Sequence, residues 1–389
     1  MKIAVDLRSL ETPTGKRGIG YYNKNIFKEL FLKSHPKLDF SLFTFPKSKL
    51  RKEFKIGSGD RFISVPALFW PKRGLRRLDP FFSIFWKGIL NSTKPDLLHL
   101  PFVFDVYHLS IPENIKTIIT IYDIIPLLFP KQYFQNRKAE DWYRQRFSEI
   151  KKVAKIITIS KASKKDIIKI LKIPEEKVEV IYGGIDEKFK IIEDEKVTEI
   201  LNKYKITHPY ILTISTHSFH KNIPRIFQAF KEYIISKEDD KLSLVVVCKL
   251  TTNEEKDWKR QLRELDIEKR VVLTNFVEDN DLSAIYNGAE VFLFPSLYEG
   301  LGLPVLEAMA CGVPVITSNA SSLPEVGGDG AKYVNPENVT EIKNAISEIL
   351  ENKDLKSVMI KRGFEHTKKF SWKKAAKETL KVYEDVLSS

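Results

Sequence analysis

The chain has 389 residues, of which 43% are hydrophobic, and a formal net charge of +13. That length exceeds one ordinary core and predicts two domains of about 150 to 200 residues, while the apolar share excludes a disordered chain. The positive charge favours an anionic partner, such as a nucleotide, nucleic acid or acidic lipid, but a lysine-rich composition accounts for the same excess.

The first stretch, KIAVDL, reads as a buried strand, and the acid at position 6 of MKIAVDLRS argues against a signal peptide. It runs into TPTGKRGIGYY, with Gly15, Gly18 and Gly20, and then into a helix over 21–34. Strand, glycine-rich turn and helix in that order offer backbone N–H groups to an anion. The spacing is not the dinucleotide fingerprint, and a plain surface turn is an equal reading. DFSLFTF follows as a strand. The stretch 47–77 differs from the rest, with ten Lys or Arg against two acids, and 68–90, LFWPKRGLRRLDPFFSIFWKGIL, interleaves aromatic rings with arginines. That composition suits an anionic membrane surface, where rings enter the headgroup layer and basic groups meet phosphates. A helix packing its aromatic face on its own domain fits the same residues, and nucleic acid is a third reading.

DLLHL, TIITIYDI, AKIITIS and KVEVIYGGID continue the strands, with helical patterns between several of them. Alternation of this kind predicts a mostly parallel, doubly wound α/β sheet. The charged stretch 191–208 is expected to be a linker, which closes a first domain at 1–190. The grammar then restarts over 209–370. PYILTIS is a strand, and KNIPRIFQAFKEYI is an amphipathic helix with Ile223, Ile226, Phe227, Phe230 and Ile234 on one side. LSLVVVC, RVVLTNF, VFLFPS, PVITSN and AKYV follow as strands, and a last helix is expected within 371–389, crossing back to the first domain. Two open sheets joined in this way predict a cleft with ligands beyond the carboxyl ends of the strands. Cys248 and Cys311 are the two cysteines and form neither a disulfide framework nor a metal motif, which suits a reducing cytosol. No uncharged apolar run reaches about 18 residues, so no membrane span is expected.

One block is far more specific than these patterns. FPSLYEGLGLPVLEAMACGVPVITSNASSLPEVGGDGAKYVNPEN, residues 294–338, sets Glu299 and Glu307 eight positions apart around a glycine-rich step. It resembles glycosyltransferase family 4, and the glycine-rich first loop, IITIS, VIYGGID and Lys221-Asn222 agree with it. The resemblance covers nearly the whole chain, least well between about 40 and 90. It implies a GT-B fold of two Rossmann-like domains, a nucleotide diphosphate sugar as donor, and retention of anomeric configuration through a short-lived ion pair. It implies no metal and no resident cofactor. The branch it resembles most builds bacterial surface polysaccharide, often with mannose.

The resemblance also assigns roles. Glu299 grips hydroxyls of the donor sugar, since a carboxylate accepts two hydrogen bonds from a diol. Glu307 takes the ribose hydroxyls. Gly300 and Gly302 let the backbone approach the donor, and Leu301 and Leu303 line it. A helix starting near Leu303, with Pro304 in its first turn, aims N–H groups at phosphate. Lys221 is the main diphosphate cation. The family arginine beside it is replaced by His220, which is only partly charged near neutral pH, so the leaving-group site is less cationic than usual. Thr216 and His217 are further phosphate candidates, and surface residues would read the same way. Phe276 and Val277 fall where relatives contact the base, with Asn275 in place of the usual glycine. Gly18 and Gly20 close over the phosphates from the first domain.

Where relatives carry His-Asp at a strand end, this chain has Tyr122 and Asp123. Tyrosine cannot serve as the same base near neutral pH, so a histidine-assisted step is in doubt. His99, at the end of DLLHL, is the better replacement and His108 another; a satisfied structural histidine is the competing reading. The expected partners are therefore a nucleotide sugar, a glycan or polyprenyl-linked glycan and an anionic membrane surface, with no nucleic acid, since no nucleic-acid reading motif is present. The expected location is cytoplasmic, with a peripheral position on the inner face of the membrane following from the basic aromatic stretch. A soluble synthase of a small glucoside or storage glucan, and a non-catalytic scaffold of the same fold, are the alternatives.

Overall fold

The computed structural model describes residues 1–16, 18–32, 35, 37–66, 79–102, 111–238 and 241–389. Most of the arginine-rich part of the basic aromatic stretch, and His108, lie outside the described residues. The chain forms two compact units, Met1–Gly184 with Ser371–Ser389, and Ile185–Phe370.

The first unit holds β1 (Lys2–Asp6), β2 (Asp39–Thr44), β3 (Arg61–Ser64), β4 (Leu97–Leu100), β5 (Lys116–Thr120), β6 (Lys155–Thr158) and β7 (Val178–Val180). They make one parallel sheet in the order β3-β2-β1-β4-β5-β6-β7. Ile3 of β1 sits opposite Phe40 of β2 and Leu97 of β4. Such strands are covered on both faces, so they read as nearly continuous apolar runs. Helix Gly18–Phe31 buries Tyr22, Ile26, Phe27, Leu30 and Phe31 along one stripe. It starts three residues before the expected position and takes in two of the loop glycines.

Helix Trp372–Ser388 belongs to this unit and buries Trp372, Ala375, Ala376, Thr379, Val382, Tyr383 and Val386. Trp372 meets the rings of Tyr21 and Tyr22 edge-on, with centroids 5.9 and 5.7 Å apart. Lys116 Nζ donates to the Val386 carbonyl at 3.0 Å and Ser389 Oγ donates to it at 2.9 Å, so this carbonyl near the helix end is satisfied.

His99 corrects an expectation. It lies on β4, but its ring points inward and is 2% exposed. Nδ1 shares a hydrogen bond with the Tyr383 hydroxyl at 2.5 Å and Nε2 with Thr120 Oγ1 at 2.9 Å. Burial pushes its pKa down to about 3. A strand buried on both faces turns His99 into the core, where two hydroxyls satisfy it; it is a structural histidine tying the sheet to the C-terminal helix. This has a pH signature. His99 stays neutral in the folded protein but protonates in the unfolded chain below about pH 6.5. The unfolded state then binds more protons, so this contribution is fully present above that pH and is lost as pH falls toward 3. His99→Gln is expected to lower the melting temperature at neutral pH and to flatten its fall between about pH 6.5 and 4, read from thermal melts of both proteins across that range.

The second unit repeats the pattern with β8 (Tyr210–Ser215), β9 (Ser243–Cys248), β10 (Val271–Leu273), β11 (Val291–Phe294), β12 (Val315–Ser318) and β13 (Ala331–Val334). All are parallel, in the order β10-β9-β8-β11-β12-β13. Helix Ile223–Lys237 buries Ile223, Ile226, Phe227 and Phe230, as its spacing predicts. Cys248 and Cys311 are free and buried.

Three differences from the sequence reading stand out. β3 was not among the expected strands: it is four residues long with a partly exposed burial pattern, so it carries little apolar signal. The expected linker 191–208 contains helix Asp194–Lys203, which buries Val197, Ile200 and Leu201. The charge of that stretch is the helix's outer face, and the units divide earlier, after Gly184. The strand expected over TIITIYDI stops at Thr120, leaving Tyr122 and Asp123 in the loop beyond it.

Candidate active site

In the second unit the strand order changes direction between β8 and β11. Such a switch point splays the loops after the two strands and leaves a crevice at their carboxyl ends. The loop after β8 carries the short turn Phe219–Lys221, and the loop after β11 runs from Pro295 to Gly302.

Asn222 ties these loops together. It sits in the left-handed region at φ 61°, buried, and its Nδ2 donates to the carbonyls of Pro295 at 2.9 Å and Pro336 at 2.6 Å. Arg225 Nη1 donates to Asn222 Oδ1 at 2.9 Å, and Leu297 N donates to the His220 carbonyl at 2.7 Å. Lys221 Nζ is thereby brought to Glu299 Oε1 at 2.8 Å, and the two side chains are 17% and 10% exposed. Lys221 Nζ also stands 5.0 Å from the centre of the Phe294 ring. The Glu299 backbone is pinned on both sides. Its N–H donates to Ser321 Oγ at 2.9 Å, and Ser322 Oγ reaches the carbonyls of Glu299 at 2.9 Å and Leu301 at 2.8 Å.

The glycine step has a local cause. Gly302 has φ +99° and precedes helix Leu303–Ala310, and a Cβ there would meet Leu323 Cδ2 at 2.7 Å. Only glycine takes that backbone cheaply, and the turn it makes starts the helix at Leu303, with Pro304 in the first turn. Gly300 and Leu301 are buried inside this turn. Glu307 lies one turn further along the helix, partly buried. The Tyr286 hydroxyl donates to its Oε2 at 2.9 Å. Burial pushes the Glu307 carboxyl up to about 7, against the lowering effects of that hydrogen bond and of Lys188.

His220 is half-buried beside Lys221 and Glu299, and the loss of water around its ring lowers its pKa to about 4. It is therefore neutral near pH 7, which corrects the expected partial charge. Thr216 is exposed, with Oγ1 3.1 Å from Ser218 Oγ. His217 turns to helix Thr252–Glu264, where Nε2 meets Asp257 Oδ2 at 3.0 Å and the ring packs on Trp258. Phe276 is 63% exposed while Val277 is buried, and Lys249 Nζ stands 5.9 Å from the Phe276 ring centre. Asn275 has φ 58°, so asparagine supplies here the left-handed backbone that glycine adopts most readily.

The first unit treats its candidates differently. The Tyr122 hydroxyl is engaged by Asn23 Oδ1 and, at 2.9 Å, by the Pro101 carbonyl. The ring is 4% exposed and lies edge-on to Tyr22, and burial raises the phenol well above its ordinary range. Tyr122 thus fixes the loop after β5 and offers no exposed hydroxyl, a correction to its expected place among the catalytic residues. Asp123 Oδ1 accepts from Ile125 N at 3.0 Å, starting the short helix Ile125–Leu128. Gly18 is exposed at the start of its helix, whereas a Cβ on Gly20 would strike Gly15 O at 2.2 Å.

Sequence reasoning missed Arg225, Ser321, Ser322 and Tyr286, and it quoted Asn222 beside Lys221 without giving it a role. Ser321 and Ser322 lie inside the quoted block, but nothing in their spacing says that they hold the Glu299 loop.

Residues 36–189 match the family model for Glycosyltransferase Family 4, and residues 196–366 match the one for glycosyl transferases group 1. The chain belongs to glycosyltransferase family 4. Among its relatives, the serotype-specific mannosyltransferase WbdA of Escherichia coli is 28% identical over 310 residues, covering 77% of this chain and 38% of WbdA. This chain thus aligns with well under half the length of that protein. O-antigen chain mannosyltransferase B of Escherichia coli is 27% identical over 283 residues, covering 72% of this chain and 74% of the relative. Sucrose-phosphate synthase from Thermosynechococcus elongatus superposes with a TM-score of 0.76 at 18% identity, covering 100% of this chain and 99% of that one. Anabaena HepE, solved with UDP and glucose, gives a TM-score of 0.74 at 16% identity, covering 99% and 100%. These likenesses show the fold, GT-B.

Proposed function

We propose that this family 4 glycosyltransferase moves mannose or glucose from a nucleoside diphosphate sugar to a glycan or lipid-linked glycan, with retention and without a metal. The observation that carries the reading is the Lys221–Glu299 pair, held at 2.8 Å where the loops after β8 and β11 diverge, next to the N-terminus of helix Leu303–Ala310. Lys221 and the helix N–H groups would face the diphosphate, on which negative charge builds as the anomeric bond breaks. Donors already aimed at that charge lower the barrier without reorganisation. Glu299 would accept from sugar hydroxyls and Glu307 from the ribose. The two carboxylates would bind different parts of one ligand and do not flank a scissile bond as a hydrolase pair does. The relatives named as mannosyltransferases favour mannose and a polysaccharide acceptor. Among the described residues no helix is long and apolar enough to cross a membrane, so contact with an anionic bilayer would be peripheral.

A donor panel tests this. The protein is incubated with UDP-glucose, GDP-mannose, ADP-glucose and dTDP-rhamnose, with and without EDTA, and nucleoside diphosphate release is measured. Slow release from GDP-mannose or UDP-glucose, unchanged by EDTA, is expected. Release abolished by EDTA would overturn the metal-free mechanism. A second reading, a soluble synthase of a small glucoside, is favoured by a probable sucrose-phosphate synthase of Thermosipho melanesiensis, 26% identical over 315 residues. Release stimulated by fructose 6-phosphate, together with no sedimentation on anionic vesicles, would favour that reading.

A further inference from the structure

We propose that Tyr286 is a positioning residue for the donor, whose hydroxyl holds the Glu307 carboxylate charged and aimed for a ribose diol. The inference rests on the donor reading above and deepens it. Tyr286 comes from helix Leu282–Asn287 and Glu307 from helix Leu303–Ala310, and the 2.9 Å hydrogen bond joins the two. The Tyr286 ring is fully buried and packs edge-on against Phe189 and Phe292, with centroids 5.8 and 5.4 Å apart. A ring held on two sides cannot swing, so its hydroxyl is a fixed point on which the carboxylate is set. The donor bond goes to Oε2, which leaves Oε1 and the remaining Oε2 lone pairs for a ligand.

The charge matters as much as the aim. A carboxylate accepts from both hydroxyls of a vicinal diol; a carboxylic acid has lost part of that acceptor capacity. Glu307 sits where its charge is contested. Burial raises its pKa, and Asp186 and Asp279 raise it further; the Tyr286 hydroxyl and Lys188 lower it, and the outcome is about 7. A further titratable neighbour, the Cys311 thiol at the end of the same helix, is pushed up to about 12 by burial and stays neutral. Removing the Tyr286 hydroxyl removes one of the two lowering influences. The folded pKa then rises, and at neutral pH a larger share of Glu307 is protonated. Donor binding should weaken there and recover as pH rises.

The test is calorimetric binding of GDP-mannose and UDP-glucose, whose diphosphate diesters do not titrate near neutrality, at about pH 6, 7.5 and 8.5. In the wild type, affinity for the preferred donor falls toward pH 6. In Tyr286→Phe it is about fivefold weaker at pH 7.5, with most of the loss regained at pH 8.5. Glu307→Gln binds weakly and without this pH dependence. The phenylalanine keeps the ring, and its melting temperature shows whether packing has changed. A Tyr286→Phe protein that binds as the wild type does, or that is weakened equally at all three pH values, overturns the positioning role while leaving the donor reading intact. Wild-type protein that binds neither nucleotide sugar overturns both.

Discussion

Lys221→Ala is expected to lower kcat/KM for the responsive donor by about 10²–10³-fold, and Glu299→Gln by a comparable factor. The double variant should be little worse than either single one. The reason is that the two side chains form one unit. Lys221 Nζ and Glu299 Oε1 are 2.8 Å apart, and each fixes the other before any ligand arrives. On the proposed reading, removing the lysine takes a cation from the diphosphate, and it takes from Glu299 the partner 2.8 Å away. Groups that act together in this way give strongly non-additive losses. The effect on stability should be much smaller than on rate. Both side chains keep an edge to water, so breaking the pair should cost less than the ~3–5 kcal/mol typical of a fully buried one. Nucleoside diphosphate release and thermal melts on the three variants give the cycle. Additive losses would mean that the lysine and the glutamate work independently, and single variants with wild-type kcat/KM would remove this pair from the site.

How much of this was legible in the sequence depends on whether a residue's surroundings are local. The strands of the second unit, the helix at Ile223–Lys237 and the start of helix Leu303–Ala310 follow from apolar runs, periodicity and a glycine before a proline. These signals are carried by consecutive residues. The resemblance gave Lys221 and Glu299 separate roles on one donor, but not their 2.8 Å contact, whose physical cause is the strand order, which no single stretch contains. The orientations of His99 and Tyr122 were not legible. Each ends or follows a strand, which suggested an exposed position, but each is satisfied from far away in the chain: His99 by Tyr383 and Tyr122 by Asn23. The charge state of His220 was missed for the same reason, because burial rather than sequence neighbours sets it. Charge in 191–208 suggested a linker, although a helix with one apolar stripe and a charged outer face has the same composition.

Gly20→Ala is expected to destabilise the first unit by about 2–3 kcal/mol, whereas Gly18→Ala should leave its stability within about 0.5 kcal/mol or raise it slightly. Both glycines belong to the loop expected to close on phosphate, but their surroundings differ. A Cβ on Gly20 would stand 2.2 Å from Gly15 O, 2.3 Å from its Cα and 2.4 Å from its carbonyl carbon. All three are backbone atoms, and none can rotate away as a side chain would. Gly15 cannot retreat either, since its own Cβ direction is filled by Leu10 O at 1.9 Å. The turn must therefore open, and with it the start of helix Gly18–Phe31, whose far residues Tyr22, Phe27 and Phe31 are core. At Gly18 no atom of the described residues beyond its chain neighbours lies within 4 Å of a Cβ, and alanine suits a helix better than glycine does. For a unit of this size the Gly20 change corresponds to a drop of roughly 5–10 °C in the unit's melting temperature. The pair of variants also separates structure from function. Because Gly18 has open space and no structural reason to be glycine, a methyl group there reports on the ligand alone. If the loop closes on the donor phosphates, Gly18→Ala raises the donor KM several-fold while the melting temperature holds. If KM is unchanged, the glycine-rich turn serves the packing of Gly15 against Gly20, and the phosphates are left to Lys221 and the helix that begins at Leu303.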